Sequence, residues 1–345
     1  MSIKKVDQTA LNAWIDGLIK QQTVYGVQAK DDPKGNRFAY AQLAAAKDLR
    51  LDYDVALQSP KKYFLPARDT IIKFQRSGQY EPVIKTEPFI VLGVHPYDVI
   101  ALAQMDAIFA KDNCDVHYLS RRDKATIIAC DVQTPSPNVF AASMGTATTD
   151  KGFDILLTKV GDSYVVDART EKGEALLGDL SKAPNADEVT LARRQQIWED
   201  NKKLLNMHKL NCQPTDLPAL LEKSLDHPVW EKRSALCYSC GSCNLVCPTC
   251  YCFDVQDEVA WDMSTGERKR SWDGCMLQEF ALVAGNHNFR KRREDRYRHR
   301  FYRKGKYLWD RMKQIACVGC GRCTTACTAK IANPVEVYNS LLEDK

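Results

Sequence analysis

Long hydrophobic runs are scarce in this sequence. Those such as Phe89–Val94 are far too short to cross a bilayer, and Asp16 interrupts the early apolar stretch. An excess of one charge is missing too: Lys plus Arg total 49 against 44 for Asp plus Glu, a formal +5, so net charge does not argue for nucleic acid. No G-x-G-x-x-G follows a strand-like run, and Gly319 and Gly321 belong to a cysteine motif, which leaves NAD(P) and FAD without a recognisable seat. A Walker loop and a nucleophile elbow are absent, and the six histidines show no H-x3-H ligand spacing. These absences point to a soluble, cytoplasmic chain with no membrane insertion and no catalytic site of its own.

What the sequence has in quantity is cysteine. Of 14 cysteines only two precede Cys212, and eleven lie from Cys237 onward at short intervals. A secreted disulfide scaffold would spread them otherwise; metal-type spacing and a reducing cytoplasm fit better. The shift in composition, with Pro214, Pro218 and Pro228 as punctuation, predicts a boundary near 215–230 in a chain of 345 residues. Residues 1–225 read as an α/β docking or scaffold domain. Pro88–His95 is a buried strand feeding a helix from Asp98 to Ala110, Ala125–Val132 is another strand, and ILLTKV and SYVVDA form a hairpin around Gly161-Asp162. A charged helix spans Asp187 to His208. Residues 226–345 read as an α+β, bacterial-ferredoxin-like domain with a helical insertion at about 251–312.

Cys237-x2-Cys240-x2-Cys243-x3-Cys247-Pro248 has the spacing by which bacterial ferredoxins hold a cubane cluster. Cys317-x2-Cys320-x2-Cys323-x3-Cys327 repeats it, with Thr328 in place of proline. A tight loop aims three thiolates at one cube, glycines such as Gly241, Gly319 and Gly321 let the backbone wrap closely, and the fourth thiolate comes from the other motif. The expected ligand sets are Cys237, Cys240, Cys243 and Cys327 for one [4Fe–4S] cluster, and Cys317, Cys320, Cys323 and Cys247 for the second. Paired zinc sites are the rival, but zinc gives no reason for the same four-cysteine spacing twice.

The remaining signals are weaker. Cys250, Cys252 and Cys275 offer three thiolates for an additional centre, against the plainer reading of buried, inert thiols beside the clusters. Cys114, Cys130 and Cys212 read as core residues. The basic run Arg290–Lys306, with Tyr297, Phe301 and Tyr302 interleaved, suggests phosphate binding on its own. Offsetting the negative charge of the clusters, or docking an acidic partner, is the favoured alternative.

Several segments together resemble the dicluster iron–sulfur family that holds the sulfhydrogenase beta subunit together with the corresponding chain of anaerobic sulfite reductase. They are GVHPYD from Gly93, SMGTATTDKGFDILLT from Ser143, Pro228-Val-Trp230, CYSCGSCNLVCPTCYCFDVQDE from Cys237, Trp272–Met276 and AGNHNFRKRREDRYRHRFYRK from Ala284. The resemblance implies a soluble heteromeric complex. In it a flavin subunit exchanges electrons with NAD(P)H, this chain conducts them, and a hydrogenase, a sulfite reductase or a heterodisulfide-reductase-like component does the terminal chemistry. It also implies a third, N-terminal cluster site in sulfhydrogenase-type relatives, whose positions here are Tyr97, Val132, Val139 and Ala141, with Cys130 close to one of them. The expected role is therefore single-electron relay through two clusters. A nucleic-acid-associated iron–sulfur protein or a redox sensor using the 290–306 run is the competing class.

Overall fold

The computed structural model describes residues 2–30, 37–85 and 87–343. Eleven of its strands, in chain order, are β1 (Ile3–Asp7), β2 (Thr23–Lys30), β3 (Arg37–Gln42), β4 (Arg68–Gln75), β5 (Tyr80–Pro82), β6 (Phe89–Val94), β7 (Ala125–Cys130), β8 (Ile155–Val160), β9 (Ser163–Ala168), β10 (Phe253–Val259) and β11 (Thr265–Trp272). Seven build a mixed sheet in the order β1-β9-β8-β7-β6-β2-β3, in which β2, β6, β7 and β8 run parallel. The sequences FIVLGV, ATIIAC and ILLTKV are apolar almost throughout because helices and loops cover both faces of this part of the sheet, and all their residues but half-buried Phe89 and exposed Lys159 are buried. Gly161, at φ +61°, turns β8 directly into β9.

Pro96 opens the helix Pro96–Ala110 straight after β6, where its missing N–H costs nothing. Asp187 caps the helix Glu188–Leu204 by accepting from the Thr190 N–H at 2.7 Å. Both helices lie where the sequence placed them. Among the described residues, no helix is long and apolar enough to cross a membrane.

The expected helical insertion at about 251–312 is corrected by the structure. Its first half is the long hairpin β10–β11, which pairs with β4 and β5 to make a second, four-stranded sheet in the order β10-β11-β4-β5. Only the second half is helical, as the helix Arg293–Tyr302, a π-helical turn over Arg303–Tyr307 and the helix Leu308–Met312. Asp262 accepts from the Ser264 N–H in the turn between the strands, and the β-branched and aromatic residues of FDVQDEV and TGERKRSW favour extended backbone.

Three apolar clusters organise the interior. The largest surrounds the seven-stranded sheet. A second, around Trp230, Tyr297, Phe301 and Tyr338, carries the cysteine motifs. The third, small, lies between them and joins Tyr97, Val132, Val139 and Ala141 to Val318 and Cys320.

Candidate metal centres

The two cysteine motifs fold into near-copies of one loop. Ser239 and Gly319, each just before the second cysteine, take φ of +55° and +66°; Gly241 and Gly321, just after it, take +72° and +75°. Each loop then enters a short helix, Ser242–Leu245 or Arg322–Ala326, that carries the third cysteine. Positive φ disfavours a side chain. Ser239 is held there by Arg296, whose Nη2 donates to its Oγ at 3.0 Å.

Two cavities result. Cys237, Cys240, Cys243 and Cys327 line the first, together with Met276, Tyr297 and Ile331. Cys317, Cys320, Cys323 and Cys247 line the second, with Phe140 and Thr249. The last cysteine of each motif thus lies with the first three of the other. Among the described residues no three Cys, His, Asp or Glu side chains meet closely enough for a single metal ion, so each set of thiols rings a hollow. Burial pushes the Cys243, Cys317 and Cys320 thiols up to about 12. At neutral pH only a metal that displaces their protons would turn them into thiolates. Two thiols shift the other way: the Ser242 hydroxyl, 3.3 Å away, lowers exposed Cys240, and a hydrogen bond from the Cys250 thiol lowers Cys247.

The second loop is pressed against the N-terminal half. A Cβ on Gly321 would stand 2.3 Å from the Asn138 carbonyl oxygen, and one on Gly319 2.7 Å from the Ala141 backbone. The Phe140 N–H donates to Gly319 O at 2.8 Å and Thr146 Oγ1 donates to Val318 O at 2.8 Å. Arg322, fully buried, makes two 2.6 Å bonds to Asp98 in the first turn of the helix Pro96–Ala110, and a third to Ala56 O at 2.9 Å. Such a bidentate pair fixes position and orientation together. Pairing carries the Arg322 charge into the interior, where an isolated one would be very costly.

Part of the basic run turns inward. Arg296, Arg300 and Lys304, on successive turns, are buried. Arg296 is consumed by carbonyls, at 3.2 Å from Met276 O, 2.9 Å from Arg290 O and 2.6 Å from Lys291 O, besides Ser239. Lys304 Nζ donates to Thr249 Oγ1 at 2.7 Å on the wall of the second cavity. Arg300 lines both cavities.

Cys250, Cys252 and Cys275 line neither cavity. The Asn244 amide donates to Cys275 Sγ at 3.4 Å and to Cys250 Sγ at 3.7 Å, and burial with Cys275 nearby raises Cys252 to about 11. Cys130 is a core residue of β7 and Cys212 is half-buried. Cys114 corrects the expectation of a core position: it is exposed in the turn beyond Ala110, where its thiol donates to the Ala110 carbonyl. Sequence reasoning missed Asn244, Asp98 and the separate role of Arg322. The only available signal for Arg322 was its place between Cys320 and Cys323.

Residues 236–331 match the 4Fe-4S dicluster domain family. Over 307 residues the chain is 32% identical to sulfhydrogenase 2 subunit beta of Pyrococcus furiosus, an alignment that covers 89% of each chain. The chain belongs to the sulfhydrogenase beta-subunit family. It is accordingly an iron–sulfur protein of electron transfer, and its dicluster domain is of the [4Fe–4S] kind. In this family member the four positions Tyr97, Val132, Val139 and Ala141 do come together, as apolar packing against Val318 and Cys320.

Proposed function

We propose that this chain relays single electrons between partner subunits through two [4Fe–4S] clusters, one held by Cys237, Cys240, Cys243 and Cys327 and the other by Cys317, Cys320, Cys323 and Cys247. The observation that carries the reading is the exchange of last cysteines between two adjacent hollows, the arrangement of two-cluster ferredoxins. The donor set fits the group: four cysteine sulfurs surround each hollow, and Arg300 on their shared wall lacks an anion. When bound, each cluster supplies one-electron redox chemistry. The chain's own residues hold the cluster, exclude water from the inner one and set the charge around both. No substrate pocket is needed, and we expect no catalytic site on this chain.

On this reading residues 1–225 are a docking scaffold, and electrons pass in the cytoplasm between a flavin subunit that reacts with NAD(P)H and a terminal subunit. The name of the Pyrococcus furiosus relative favours a hydrogenase as that terminal component over a sulfite reductase or a heterodisulfide-reductase-like one. The nucleic-acid and sensor alternatives lose support because Arg296, Arg300 and Lys304 face inward, away from a contact surface. Anaerobic purification with identification of every co-purifying chain is the test. A flavin subunit should accompany this chain together with a hydrogenase subunit, and NAD(P)H should reduce the clusters only when the flavin subunit is present. NAD(P)H oxidation by the isolated, cluster-loaded chain would overturn the relay reading.

A further inference from the structure

Arg300 is the anomaly among the buried cations of this protein. Arg322 has Asp98, Arg121 and Arg270 share Asp69, Lys61 donates to the carbonyls of Cys247 and Cys250, Lys304 has Thr249, and Arg296 has three carbonyls. Arg300 is 2% exposed, yet its Nε and Nη1 have no hydrogen-bond partner and, among the described residues, no carboxylate pairs with it. A guanidinium cannot shed its proton to escape this cost. Its counter-charge must therefore come from something the side chain faces. It faces Cys243 of one ligand set, Cys247 and Cys323 of the other and Cys250 beside them, and it is a wall of both hollows.

We propose that Arg300 is a counter-ion shared by both clusters, donating N–H groups to sulfurs on either side and setting both reduction potentials at once. The proposal rests on the two-cluster reading above. A cubane with four thiolates is anionic and gains a further negative charge on reduction, so a desolvated cation beside it favours the reduced state. Placed between two such groups, one guanidinium acts on both. Lys304, on the wall of the second hollow alone, is the internal control.

The experiment uses the full chain, purified anaerobically and reconstituted. Iron content is measured first, because a chain without clusters would defeat the underlying reading and leave no potential to measure. Potentiometric titration followed by electron paramagnetic resonance then compares the parent with Arg300→Met, Arg300→Lys and Lys304→Met. Arg300→Met should move both midpoint potentials to more negative values, Lys304→Met chiefly one of them, and Arg300→Lys should stay near the parent for both. Two intact clusters of which one or neither moves in Arg300→Met would overturn the proposal. If Arg300→Met cannot hold its clusters, Arg300→Lys decides: restored iron and parent-like potentials support a charge role, and failure to restore them refutes it.

Discussion

The two cysteine loops share a backbone and differ in most of what surrounds it. The first lies at the surface, with Cys240 exposed and its neighbours Tyr238 and Leu236 at 72% and 63% exposure. The second lies under the N-terminal half, its glycines against the backbone of Asn138 and Ala141 and its Arg322 locked to Asp98. A repeated ligand motif thus carries no promise of repeated properties. Solvent exposure and nearby charge tune cluster potentials, and both differ here.

The largest effect that can break this comparison is loss of the cysteine that each motif lends to the other's hollow. Cys327→Ser should damage the exposed cluster and leave the inner one, and Cys247→Ser should do the reverse, with iron falling from about eight toward about four per chain in each. Spectra in which Cys327→Ser removes the inner cluster would reverse the pairing. Next comes Asp98→Asn, which strands the buried Arg322 charge. It should cost about 3–5 kcal/mol in denaturant unfolding of the loaded chain, because a desolvated cation is left without its anion.

The glycines give a finer contrast. Gly241→Ala pays for left-handed backbone and meets only the movable Leu277 side chain, at 2.9 Å, so about 1–2 kcal/mol is expected. Gly321→Ala carries the same backbone cost and also strikes the Asn138 carbonyl, which should bring its loss to about 3 kcal/mol or more. Equal losses in the two variants would mean that the inner loop is not held as tightly as its contacts imply. The smallest effect is one of rate: with an oxidant and an iron chelator the outer cluster should bleach first. Simultaneous loss would show that the inner one is not shielded.

Much of this was open to reading from the chain alone, for a physical reason. Ligand spacing is local, so Cys237–Cys247 and Cys317–Cys327 announced themselves. The strands β6 to β9 did so as well, each being built round an apolar run. The hairpin β10–β11 did not: FDVQDEV is largely exposed and lacks a buried face to alternate against, and β4, the strand that pairs with β11, is remote in sequence. Within RKRREDRYRHRFYRK nothing distinguishes Arg300 from its exposed neighbours except its spacing from Arg296 and Lys304, beside Tyr297 and Phe301. Burial of a charge depends on what packs over it, which composition does not record.

The pairing of β11 with β4 sets a timetable for making the molecule. Thr265 stands opposite Gln75, so during synthesis the β4 edge waits without its neighbour until the hairpin has left the ribosome. The same wait holds for the segment Asn138–Ala141, whose covering loop around Gly319 is made later still. The first half of the chain therefore emerges with an open strand edge and a bare landing site, the features that invite wrong association. Arrival of the iron-binding half closes both. Covering of both therefore waits on the late-made segments that pair with β4 and carry the second cysteine motif.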